Sequence, residues 1–132
     1  MTKIQRDVLC GAALAALLFT PGPVLADVAG EITTAATHAT LAGEATALSG
    51  VQMHLHHVLN CLVGAGGKGY DGKQIDPCKG AGSGAIPDMS DAAKKKALEA
   101  AADTVRGGLA TTDLATAQKA ATDTATQLKA IK

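Results

Sequence analysis

The side chains with the most coordination chemistry lie between Gln52 and Cys61, where the chain reads QMHLHHVLNC. This stretch holds three of the four histidines and one of the three cysteines, together with Met53. Imidazole nitrogens suit zinc, copper or nickel, and a thioether favours Cu(I). Whether these groups can act together depends on the backbone beneath them. On a helix, at about 100° per residue, His54 and His57 stand at i and i+3, and Met53 and His57 at i and i+4, so each pair shares a face. His56 points away from His57. The primary candidate ligands are therefore His54 and His57, with Met53, His56 and His38 secondary.

Two imidazoles do not complete a site. A structural zinc centre takes four protein ligands and a catalytic one usually three. Met53 can be the third only for copper. His38 can join only if the chain turns back near Ser49-Gly50; on one continuous helix it stands 16 residues from His54, about 24 Å away at 1.5 Å per residue. A carboxylate from a later helix, or a second protomer in a dimer, is another source. The competing expectation involves no metal: the histidines are polar surface groups, pH-responsive because imidazole titrates near neutrality. HLHHVLNC and the disulfide-tied loop together then serve as a recognition surface for another envelope protein.

Other chemistry finds less support. The run GAGGKG, Gly64 to Gly69, matches G-x-G-x-x-G, but the dinucleotide fingerprint needs a strand before it and a helix opening after it. No nucleotide is expected. Haem is not expected either, because C-x-x-C-H is missing and an apolar, aromatic-lined pocket has almost no aromatics to draw on. Ser49, Ser83 and Ser90 stand in no nucleophile motif and no carboxylates pair at a recognisable spacing, so no enzyme is expected.

The elements that must position these groups begin after a leader. Lys3 and Arg6 precede an apolar run, Val8 to Phe19, which Thr20-Pro21-Gly22-Pro23 ends before an A-x-A-like close at Val24 and Ala26. This is the pattern of a secretory signal peptide, residues 1–26, too short in its apolar part to span a bilayer. Cys10 lies too early in the run for lipidation. Cleavage after Ala26 leaves one domain, residues 27–132, in the periplasm or outside the cell, with no membrane span. Its basic and acidic residues nearly balance, 10 against 11 (12 each, less Lys3 and Arg6, and less Asp7), which argues against nucleic acid as a partner.

Tyr70 is then the one aromatic of the mature chain, so the core must be built from Leu, Ile, Val and many Ala. Alanine lets helices approach closely but buries little area, leaving a modest hydrophobic reserve. Cys61 and Cys78, the two remaining cysteines, are expected to form a disulfide.

No strand pattern stands out. Val28, Ile32, Ala35, Ala39 and Ala42 recur at helical spacing, with Leu41, Ala45 and Leu48 broadening the stripe. Ser49-Gly50 then ends this helix, with Ser49 capping the next, unless the two are fused. From 51 to 62, Val51, Leu55, Val58, Leu59 and Leu62 face the core; Met53, His57 and Asn60 lie nearly opposite, with Asn60 free to bond loop backbone. Residues 64–87, with eight glycines and two prolines, form a long loop that Cys78 pins to Cys61. Ser90 caps a helix carrying Leu98, Ala101, Val105 and Leu109, which Arg106-Gly107-Gly108 ends. A last helix follows Thr111-Thr112-Asp113, with Leu114, Ala117, Ala121, Leu128 and Ile131 on one side. The expected fold is an all-α bundle of four helices, or three if the first two are fused, with a Gly-rich crossover loop held by one disulfide.

Overall fold

A computed structural model describes residues 25–131; residues 1–24 of the expected signal segment, and Lys132, lie outside them. The described chain is all-helical: α1 Val28–Glu44, α2 Leu48–Val63, a single turn α3 Ala85–Asp88, α4 Ala92–Ala110 and α5 Leu114–Ala130. Three helices start on an aspartate, as N-cap chemistry favours. Asp27, Asp91 and Asp113 accept the backbone N–H of Gly30, Lys94 and Thr116 at 2.9, 2.9 and 2.8 Å. The cap of α4 is thus Asp91 rather than Ser90.

Two antiparallel hairpins, α1–α2 and α4–α5, pack face to face, with α1 against both α2 and α5. The expected apolar faces meet at the centre. Val51, Leu55, Val58, Leu59 and Leu62 of α2 are buried, with Leu98 and Val105 of α4, Leu128 of α5, and Ala35, Ala39 and Ala42 of α1. Many threonines of α1 and α5 face outward and return their hydroxyls to the carbonyl four residues back, as Thr33, Thr37, Thr122 and Thr126 do. This satisfies the hydroxyl within the helix's own backbone.

Two boundaries differ from expectation. The α1–α2 break falls at Ala45–Ala47, and Ser49 and Gly50 lie inside the first turn of α2, whose N-cap Ala47 has no side-chain bond. Tertiary contacts favour this place: the Gln118 amide of α5 donates to the Ala45 carbonyl at 2.9 Å. Gly50 serves closeness instead of breakage, since a Cβ there would stand 3.3 Å from that of Ala45. Nor does Arg106-Gly107-Gly108 end α4, which continues to Ala110. Gly108 is buried where α4 crosses its neighbours, and a Cβ on it would stand 2.8 Å from Leu55 Cδ1 and 2.9 Å from Ala120 Cβ.

The Gly-rich segment is a loop over 64–84, after which α3 begins inside the span 64–87 that composition marks as irregular and ends one residue beyond it. The Cys61–Cys78 disulfide is present and buried. Asn60 grips the same loop: its Nδ2 donates to the Asp71 and Ile75 carbonyls at 3.0 and 3.3 Å, and its Oδ1 accepts the Asp71 N–H at 2.9 Å. Among the described residues no helix is long and apolar enough to cross a membrane.

Candidate metal site

The position of the α1–α2 break decides which histidines meet. Thr46 is the middle residue of the connection, and His38 precedes it by as many residues as His54 follows it. In an antiparallel pair, residues equidistant from the turn lie side by side, so His38 faces His54, and His57 follows one helical turn further along α2. A break at Ser49-Gly50 would have moved the partner of His38 toward the end of α2.

The three rings pack as a triangle, with centroid separations of 5.4 Å (His38–His54), 5.0 Å (His38–His57) and 5.6 Å (His54–His57). Their nitrogens converge. His38 Nδ1 lies 3.1 Å from His54 Nδ1 and 3.4 Å from His57 Nδ1, and one ring nitrogen from each residue lies within 4.8 Å of the others. His57 is buried, while His38 and His54 are half-buried.

Hydrogen bonding alone does not satisfy this arrangement. A neutral imidazole has one N–H and one lone pair, each on its own nitrogen. His38 Nδ1 therefore offers a single in-plane hydrogen or a single lone pair to two neighbours, and one of its two close contacts stays without a well-formed bond. A metal ion would accept all three lone pairs at once. With metal–nitrogen bonds of 2.0–2.1 Å in tetrahedral geometry, ligand nitrogens stand about 3.3 Å apart, close to the two separations found here. The group could hold a metal ion with little movement.

Electrostatics favour the ligating form. Burial lowers the pKa of His38 below the ordinary histidine value, and the neighbouring His57 and His54 lower it further. Burial likewise lowers His57, aided by His54 and His56. Both shifts favour the neutral imidazole, the form whose lone pair can bind a metal.

Of the other histidine and cysteine candidates, none joins the converging group. His56 turns toward the loop, with Nδ1 3.9 Å from the Asp71 carboxylate, too far for a hydrogen bond. Met53 is 42% exposed. Cys61 is committed to the disulfide. The helical wheel had placed His57 and Asn60 opposite the core, yet they are 5% and 0% exposed. The reason is that α2 is covered on more than one side, by α1, α4 and α5 and by its own loop. Within HLHHVLNC only His54 and His56 retain partial exposure, while much of the adjoining loop is exposed.

A second polar region lies at the other end of the hairpin and had no signal in the sequence. Glu31 of α1 is 1% exposed. Its Oε1 accepts the Gly84 N–H at 3.1 Å, while its Oε2 is buried with no hydrogen-bond partner among the described residues. Burial raises the Glu31 pKa; the Gly84 bond opposes this, and the carboxylates of Asp88, Asp27 and Asp76 add to the rise.

No known family, curated protein or solved structure matches this chain. The site itself carries the functional reading.

Proposed function

We propose that this is a small exported protein that binds a transition-metal ion through His38, His54 and His57, for storage, buffering or delivery rather than catalysis. The observation that carries the reading is the meeting of three imidazole nitrogens whose contacts cannot all be hydrogen bonds. Copper comes first and zinc second: both accept imidazole, and Cu(II) stands above Zn(II) in intrinsic affinity for nitrogen donors. Export is supported by the apolar leader pattern and by the disulfide, which persists in oxidising compartments.

The test is native mass spectrometry of the oxidised protein titrated with Cu(I), Cu(II) and Zn(II), followed by competition between the metals. One ion per chain is expected. Loss of an outer-shell partner typically costs 10–100-fold in metal affinity, so His38→Ala, which removes a ligand, should weaken binding by about a hundredfold or more. His56→Ala should leave it unchanged. Retention of no ion, or equal retention by His38→Ala, would overturn the reading.

A further inference from the structure

The following inference rests on the metal-binding reading above. We infer that an ion held by His38, His54 and His57 keeps its fourth coordination position for a small monodentate anion from solution. Three observations lead there.

The first is the donor count. Among the described residues, no fourth histidine, cysteine, aspartate or glutamate joins the converging group. Cys61 is held in its disulfide, and His56 faces Asp71 instead. Three ligands leave a four-coordinate metal one position short.

The second is charge. All three donors are uncharged imidazoles, and no carboxylate stands among them. A divalent ion would therefore keep its full charge, partly shielded from water beside His57, which is 5% exposed. An anionic fourth ligand offsets that charge directly, which a neutral donor cannot do.

The third is access. His38 and His54 are half-buried, so the centre has a side open to solvent. Two cavities lie elsewhere. One is an apolar groove of about 870 Å³ along α1, running from Val28 to Leu41 and closed by Met89 and Leu128. The other is a pocket of about 310 Å³ under the loop, beside Glu31 and Tyr70. Neither is lined by the three histidines. With His38 and His54 partly exposed around it, a ligand at the metal would be selected for its donor atom and charge more than for its shape. Halides, azide, thiocyanate and compact carboxylates form that class.

Cobalt(II) tests this, because it takes zinc-type sites and its visible spectrum reports coordination number and ligand exchange. The oxidised protein is loaded with one equivalent of Co(II), and sodium azide is added at micromolar protein while mass is followed by light scattering. The expected result is a saturable shift of the cobalt bands with one azide per metal, from a monomer, and the same shift in Met53→Ala and His56→Ala. If Co(II), Zn(II), Cu(I) and Cu(II) all fail to bind, the metal reading itself fails; binding of copper without Co(II) or Zn(II) would leave that reading standing and overturn the zinc-type open position. If Co(II) and Zn(II) bind but azide leaves the spectrum unmoved, the open position is refuted while the metal site stands. Loading that dimerises the protein, or a cobalt spectrum altered by Met53→Ala before azide is added, would show the position filled by the chain and would equally overturn the inference.

Discussion

The α1–α2 hairpin carries buried polar groups at two places, and they are satisfied in opposite ways. Toward the α2 carboxyl end, Asn60 meets three backbone partners and Glu31 at least one, all in the loop that Cys78 ties down. Nearer the turn, the side-chain hydrogen-bond contacts found for three histidines among the described residues are to one another. The first region has complementary donors and acceptors, apart from Glu31 Oε2, because a long irregular segment brings its free N–H and C=O groups there. The second has three groups of the same kind, and among the described residues no carboxylate joins them. A structural polar cluster contains its own partners; a binding site leaves a partner to come from outside.

The sharpest way to break this contrast is to cut the staple. Reduction of Cys61–Cys78 should destabilise the fold by about 3 kcal/mol, by the entropy of closing a loop of this length. The drop in melting temperature should be on the order of 15 °C, measured by circular dichroism with and without reductant, and a thiol count on the oxidised mature chain should find no free cysteine. If the regions are separate, metal affinity at temperatures where the reduced protein stays folded should change little.

His38→Ala is the converse experiment. The expected hundredfold loss of metal affinity, about 2.7 kcal/mol, should come with little loss of stability in the metal-free protein, because the contact it removes is poorly satisfied there. Asn60→Ala should do the reverse. Removing a buried side chain that serves three backbone groups should cost about 2 kcal/mol in urea denaturation, while the metal titration stays as in the parent.

The smallest effect concerns Glu31. Its pKa is raised in the fold, so the folded state binds more protons than the unfolded one. The stability it confers is full below the ordinary glutamate value of 4.5 and is lost as pH rises through the folded-state pKa. Glu31→Gln should flatten that decline in a series of melting curves from pH 4 upward. A slope identical to the parent's would mean that Glu31 is not the group responsible.

The sequence conveyed these two regions unequally. The bundle, its core faces and the disulfide were readable because helical periodicity and cysteine pairing are local or countable signals. The turn was not. Ser49-Gly50 is stronger punctuation than Ala45-Thr46-Ala47, yet the chain breaks at the alanine, where Gln118 from a distant helix accepts the task of capping a carbonyl. That shift of a few residues moves His38 from a doubtful third ligand to the centre of the cluster. The wheel's assignment of His57 and Asn60 to an outer face failed for a related reason. A single-helix pattern gives the side facing the main core, but not whether a loop or a second helix covers the rest. Glu31 had no signal at all, since its role depends on a Gly84 N–H delivered from across the fold.

The alanines of α1 have a consequence beyond their small contribution to burial. Ala35, Ala39 and Ala42 are each 0% exposed and flank His38 on the side of the helix that lies against the bundle. Helix separation follows the size of the side chains between the axes, over a range of 8–10 Å. Coordination tolerates errors of only about 0.2 Å in bond length. A bulkier residue where one of these alanines meets α2 would push α1 outward and carry His38 away from His54 and His57 by more than the metal can absorb, although all three histidines are still in the sequence. The composition that makes the core thin is also what sets the bite of the chelate.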